Sequence, residues 1–512
     1  MLEKYLRKAK EGQTILSQIK TRLMIKGFIT KNKWLILVFM IFGGVFASIT
    51  FVNHYNFRTY GWDLGINQNA IFDYAHFRWN DCMIMQPSFE NVLADHFSLY
   101  PLLVSPLYWI FGSYTMLIFQ WGAILFGGFG IYKFVLCISE NKKLATIALI
   151  HFFSIWGIYS ALSFDYHDNV VAAMFVPWFL YYYRRQKLAK SILFFILIII
   201  SKENMALWIG FIALGLSLRH LFNKEWNRLK LSAFLAFSAF LYFVIILKLI
   251  IPELSNTDGE YLHHSFNALG KNFGEVIVNI FKHPIRAFEL LFENHSGDSF
   301  YDGIKLETYA ALILAGGWAL FFYPEYLIMI VPIIAQKMFN DLPIRWGISD
   351  HYSIELAPIL VLGLYTFLSR LKRRKLQIAV LSLFICAISS FKFMEKRTSE
   401  YYKKDNTRFY SAQHWKRNFD VDAVHKALKT IPDSLRVSAQ SPLAPHLAFR
   451  DYIYHYPYKG DANCIALLVA EENKYPYTAE QYQDEIKKLL KSEEWVIFTQ
   501  SNDLLVLIKK SK

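Results

Sequence analysis

Residues 184–220 read R-R-Q-K-L-A-K-S-I-L-F-F-I-L-I-I-I-S-K-E-N-M-A-L-W-I-G-F-I-A-L-G-L-S-L-R-H, and this stretch decides the fold. Two apolar runs, 189–201 and 204–219, meet at a polar turn of Ser201, Lys202, Glu203 and Asn204, with basic residues at both outer ends. Backbone inside lipid has to satisfy its own hydrogen bonds, so apolar runs of this kind are helices. Lys and Arg beside such runs mark the cytoplasmic side, which puts the Lys202-Glu203 turn on the other face. An opposite pair this close to hydrocarbon is costly unless it is partnered or interfacial. Either Lys202 snorkels to the surface or it binds an anionic headgroup or phosphate as a compact point charge.

The same grammar runs along the whole chain. Of its 512 residues 54% are hydrophobic and 17% aromatic, and the apolar ones gather in runs near the length that crosses a bilayer. Runs near 34–52, 99–137, 144–162, 170–183, 189–201, 204–219, 229–251, 306–323, 326–338, 352–369 and 376–393 predict about eleven transmembrane helices, with the N-terminus inside. The turns at 201–204 and at Tyr323-Pro324-Glu325 leave full crossings and re-entrant loops both open. The chain then divides into a basic cytoplasmic segment (1–33), a transmembrane module (34–394) and a small extracytoplasmic α/β domain (395–512).

The formal charge of +14 suggests nucleic acid until its location is read. Nine Lys or Arg fall in residues 1–33, and further clusters lie at Arg184, Arg185, Lys187 and Lys190 and at Arg370, Lys372, Arg373, Arg374 and Lys375. That is the cytoplasmic-loop pattern, and it leaves the lipid bilayer, not nucleic acid, as the partner. The four cysteines fit no metal motif, although Cys82 and Cys464 share the outer side. Parity puts 53–98, 163–169, 252–305 and 339–351 outside, where most loop carboxylates lie. In the first of these, residues 64–78 place Leu64, Ile71, Phe72 and Ala75 on one face of a helix that suits the headgroup plane. The 252–305 loop is expected to hold short helices of the same kind. Beyond 395, helices at 421–430 and 478–491 and strands at 435–439, 464–470, 495–499 and 504–509 are expected.

Chemistry-bearing residues lie in five of the outer turns. Asp63, in Gly61-Trp62-Asp63-Leu64-Gly65, is either the cap of the following helix or a carboxylate base at the membrane surface. Asp95-His96 closes the same loop. Asp165 and His167 alternate in the short 163–169 turn, so in extended backbone they project the same way. With Asp168 they offer either an acid/base pair or ligands for a divalent metal such as Mg or Mn. Arg345, Asp350 and His351 add a cation, a carboxylate and an imidazole to the same face. His263-His264 and Asn294-His295-Ser296 show no partner at a telling spacing. No Gly-rich phosphate loop, nucleophile elbow or zinc-protease signature is present.

Taken in order, Asp63-Leu64-Gly65-Ile66, Asp95-His96-Phe97-Ser98, Pro101 and Pro106, Asp165-Tyr166-His167-Asp168 and Lys202-Glu203-Asn204 form a recognisable series. Pro324-Glu325-Tyr326, His351-Tyr352 and Pro445-His446-Leu447 with Arg450 follow downstream. From about residue 50 to 510 the chain resembles an uncharacterised prokaryotic family of predicted polytopic membrane proteins, a domain of unknown function. That family is similar, remotely, to the GT-C membrane glycosyltransferases, which take sugar from a polyprenyl-phosphate carrier on the outer face of the membrane. The resemblance implies that Asp63 occupies the position of the essential first-loop carboxylate. The chain departs from the paired acidic motif of protein O-mannosyltransferases, since Leu64 follows Asp63.

The expected function is therefore sugar transfer from a polyprenyl-phosphate donor to a glycan, lipid or protein acceptor at the outer face of the cytoplasmic membrane. Asp63 would be catalytic. Lys202, Glu203, Arg345 and His351 would bind substrate and phosphate, and Asp95, His96, Asp165, His167 and Asp168 would line the site. A transporter or flippase would instead place ionisable residues at mid-span. A scaffold or sensor would not require the five turns to converge.

Overall fold

The structure, a computed structural model, describes residues 2–82, 84, 91–255, 263–395 and 404–510. Residues 2–45 form a unit of their own. It is helical, and its backbone leaves helical geometry at Asn32 (φ −119°, ψ 16°), just before the apolar run begins at Trp34.

All eleven apolar runs are helical, but they differ in length. Among the described residues five helices are long and apolar enough to cross a membrane: Thr30–Tyr55, Tyr100–Ser139, Glu203–Phe222, Trp226–Leu254 and Lys375–Glu395. A sixth span results if Lys142–Phe153 and Trp156–Leu162, bent by 47°, are taken together. The rest are shorter. At 1.5 Å per residue, the Leu188–Ile199 helix rises about 18 Å and Asp168–Arg184 about 26 Å, against a hydrocarbon core of about 30 Å. Ile304–Leu314 is interrupted at Gly316, whose φ of +98° only glycine adopts at ease, and Pro324–Met338 and Leu356–Arg370 have 15 residues each.

These short helices nevertheless sort the charges. Asp168 opens the 168–184 helix and Arg184 closes it, Lys202 caps Glu203–Phe222 and Arg219 lies in its last turn. Acids and Lys202 thus collect at one end of the helices and the basic turns at the other.

The C-terminal segment folds as a five-stranded sheet, β1 (Val437–Ala439), β2 (Ile453–His455), β3 (Cys464–Leu468), β4 (Trp495–Gln500) and β5 (Leu504–Lys509), in the order β2-β1-β3-β5-β4. β2, β1 and β3 run parallel, with Val437 opposite both Ile453 and Cys464, while β5 is antiparallel to β3 and β4. Helices at Val421–Leu428 and Ala479–Lys491 fall where the pattern put them. β2, only three residues long, gave no separate signal. No disulfide joins Cys82 and Cys464, which are both buried.

The sheet does not close its core alone. Val437, Ala439, Leu443 and Cys464 pack in one cluster with Phe57, Ile66, Ala70, Tyr74 and Val92 of the first loop. The Ile66–Ala75 helix is therefore covered on its polar side as well. Asn69 Nδ2 donates to the carbonyls of Ala448 (3.0 Å) and Arg450 (3.2 Å), and Gln68 Nε2 donates to that of Ser113 (2.6 Å). In the second large loop, Phe273–Lys282 and Pro284–Leu290 do leave apolar side chains outward, Phe281 at 81% and Ile285 at 75% exposure.

Candidate active site

The polar turns surround one cavity of about 460 Å³. Asp63, Asp95, His96, His167, Asp168, Lys202, Glu203, Arg345 and His351 all line it, and Asp165 does not.

Asp63 sits in a π-type turn, Gly61–Gly65. Its side chain caps no helix: Gly65 precedes the 66–75 helix, and no side chain there accepts from the helix amides. The carboxylate faces the cavity, with Oδ1 3.1 Å from His167 Nε2. Gly61 is needed for close approach. A Cβ there would meet His455 Cδ2 at 3.0 Å and Ala444 Cβ at 3.2 Å, both from the C-terminal domain. Ser441 Oγ accepts the Gly61 N–H at 3.2 Å, so that domain holds the turn carrying Asp63.

The 163–168 turn corrects the expectation that Asp165 and His167 point together. Asp165 has φ +42°, a left-handed conformation that aspartate tolerates better than most residues. This turns its carboxylate away from the cavity, where Oδ2 accepts the Tyr60 N–H at 2.7 Å. Burial, reinforced by the Asp63 charge, pushes the Asp165 carboxyl well above the usual range. Gln120 fixes the turn from the side: its Nε2 donates to the Asp165 carbonyl (2.8 Å) and its Oε1 accepts the His167 N–H (2.9 Å). His167 is thereby presented to Asp63 and stacked on His351, ring centroids 3.5 Å apart. Burial first, then the nearby cationic groups, keeps His351 far below its ordinary value, so it is neutral.

A second acid–imidazole chain forms the opposite wall. Glu203, 1% exposed, accepts from His96 Nδ1 (2.9 Å) and the Phe97 N–H (3.1 Å). His96 stacks on His263 at 4.0 Å, and His263 Nε2 lies 2.7 Å from Asp95 Oδ1. Burial and the neighbouring His263 and Lys202 lower His96 to about 4. Burial alone would raise Asp95, but His96, the hydrogen bond from His263 and Lys202 together hold its carboxyl at about 2.

Asp95, His96 and His263 are the group that could hold a metal ion among the described residues, one ligand atom from each lying within 4.8 Å of the others. Asp165, His167 and Asp168 are not part of it. Two imidazoles with one carboxylate suit zinc better than the Mg or Mn expected from the acids alone. His263 was visible in the sequence only as one of a histidine pair, and no spacing tied it to Asp95.

Lys202 stands between the two walls in extended backbone (φ −169°, ψ 147°). Its charge is felt by Asp95, His96, Asp168, His351 and Glu355. Each acid already has a partner: His263 for Asp95, Tyr166 for Asp168 (2.7 Å), His96 for Glu203 and Asn169 for Glu355 (2.7 Å). Among the described residues Lys202 forms no ion pair and no side-chain hydrogen bond. Arg345 lies over the Tyr352 ring at 5.4 Å. Its loop is held by buried Lys337, whose Nζ donates to the carbonyls of Arg345 (2.8 Å) and Gly347 (2.7 Å). Lys337, Asn169 and Glu355 line the cavity unheralded by any motif. Phe243, Leu247, Phe266 and Phe273 supply an apolar wall.

No curated protein matches the chain. A crystal structure of ArnT from Cupriavidus metallidurans bound to undecaprenyl phosphate superimposes with a TM-score of 0.52 at 11% identity, over 93% of this chain and 98% of that one. This is a likeness of fold. The model of the family described as Predicted membrane protein (DUF2079) matches residues 53–506, and the chain belongs to that family.

Proposed function

We propose that the chain is a membrane glycosyltransferase that moves a sugar from a polyprenyl-phosphate carrier to a hydroxyl acceptor, with inversion, at the outer face of the cytoplasmic membrane. The observation that carries this reading is Lys202: a cation without an ion-pair partner among the described residues, in a cavity that also holds an imidazole-bound carboxylate. The lysine has the chemistry to hold phosphate, and Asp63 has that of a general base. The ArnT structure contains undecaprenyl phosphate, which supports a lipid-phosphate carrier for this fold. The apolar wall gives such a carrier a side from which to approach. The orientation follows from the basic turns at the opposite helix ends.

In the proposed reaction the acceptor oxygen attacks the anomeric carbon and its proton passes to Asp63, which His167 orients. The bond from that carbon to the phosphate oxygen breaks, and its electron pair leaves with the phosphate. Lys202 and Arg345 hold the developing charge through charge-assisted contacts to the phosphate. Convergence of the polar turns favours this over a scaffold. Their position at helix ends favours it over a transporter.

The test supplies the purified full chain with a pool of polyprenyl-phosphate sugars and membrane acceptors, beside Asp63→Asn. Donor consumption by the native chain and its loss in the variant, with carrier binding retained, is the expected result. Turnover unchanged by the substitution removes Asp63 from the mechanism. No turnover together with lipid movement across vesicles favours a flippase.

A further inference from the structure

Between the Lys202 cation and the Asp63–His167 pair, the cavity carries polar atoms that the reaction above does not use. Asn169 is the second residue of the 168–184 helix and Glu355 precedes the 356–370 helix; each is 4% exposed and lines the cavity. Asn169 Nδ2 donates to Glu355 Oε1 at 2.7 Å, which fixes the orientation of the amide. Asn169 Oδ1 and Glu355 Oε2 are then two buried acceptors with no partner among the described residues. Across the cavity Asn340 is fully buried, and its Oδ1 accepts the Leu342 N–H at 2.9 Å. Its Nδ2 is left as a buried donor without a partner. Folded proteins leave few such atoms unpaired, and these three belong to residues that line one cavity.

We infer that Asn169, Glu355 and Asn340 form the recognition subsite for the transferred sugar, and that it takes a neutral sugar with free hydroxyls. This rests on the reading of the cavity as a sugar-phosphate site. Hydroxyls match the set because each can donate to the Asn169 or Glu355 oxygen and accept from the Asn340 amide. A uronic carboxylate has no proton to give to the Asn169 or Glu355 oxygen. A protonated amine has no lone pair to accept from the Asn340 amide. Sites built to bond a hydroxyl discriminate strongly, because a ligand without it leaves their own polar groups unpaired.

The experiment titrates the full chain in lipid nanodiscs with polyprenyl phosphate alone, and with the carrier bearing neutral hexoses and pentoses, glucosamine or glucuronic acid. At least one neutral sugar is expected to bind about tenfold or more tightly than the bare carrier and the two charged sugars. Glu355→Gln and Asn169→Ala should each remove most of that gain and leave the bare carrier's Kd within about threefold. Equal binding of all sugars, a preference for a charged one, or a gain untouched in both variants overturns the inference. Should the variants misfold, the ranking by the native chain decides alone. A bare carrier that binds without any gain from sugar sinks only the subsite; a bare carrier that fails to bind sinks the sugar-phosphate reading and this inference with it.

Discussion

Replacing Lys202 by methionine keeps the length and apolar stem of the side chain and deletes its charge. Among the described residues Lys202 has no ion-pair partner, and each of the four acids Asp95, Asp168, Glu203 and Glu355 is bonded elsewhere. The substitution therefore breaks no side-chain hydrogen bond among the described residues. In the complex it removes a hydrogen bond between two charged groups, a contact of about 1.5–3 kcal/mol, so the Kd for polyprenyl phosphate should rise about 10- to 150-fold. A second effect separates this from misfolding. Lys202 helps to depress His96, so its loss should let that imidazole titrate at higher pH. Binding measured in detergent, paired with thermal unfolding and a titration of His96 by NMR, checks both. A Kd that moves less than about threefold in a folded variant would refute the phosphate role of Lys202.

Three further outcomes are expected. Asp165→Ala strands the buried Tyr60 N–H at a cost of about 1–3 kcal/mol and loosens Asp63 from His167. It should lower kcat and Tm with carrier binding retained, and Asp165→Asn, which keeps an acceptor, should be milder in both assays. Zinc added to the metal-free chain should raise Tm saturably, and Asp95→Ala or His263→Ala should abolish that rise. Burial holds His455 at about 4, and His96 is lowered equally, whereas both groups titrate near 6.5 when unfolded. The unfolded chain thus binds more protons between these values, so stability is full above about pH 6.5 and falls as pH drops toward 4. Unfolding scans at pH 7 and pH 5 should show a lower Tm at pH 5, with a smaller drop in His455→Gln.

The helices were legible because bilayer hydrocarbon writes itself into composition, and the basic ends of 168–184 and 203–222 gave their direction. Their lengths were less legible. Gly316 interrupts a helix that hydropathy alone reads as one run, 306–323. At the cavity, Asp63, Asp95, His96, His167, Lys202 and Arg345 announced themselves as ionisable groups in apolar surroundings. Asp165 misled because a positive φ reverses the alternation that extended backbone would give. His263, Asn169, Glu355 and Lys337 were missed because long-range packing alone brings them in, at sequence separations that no short motif spans. The same holds for the C-terminal sheet: its strands were readable, but not that Val437 and Ile66 would share one core.

That shared core ties the site to the order of synthesis. The Gly61 N–H waits for Ser441, 380 residues downstream. At about 5–20 residues per second, the ribosome needs roughly 20–75 seconds to deliver it. During that interval Ile66, Ala70 and Tyr74 have no sheet to cover them, and the turn bearing Asp63 has no anchor. A nascent or truncated chain thus carries Asp63 on an unanchored turn until the segment with Ser441 emerges and packs against it.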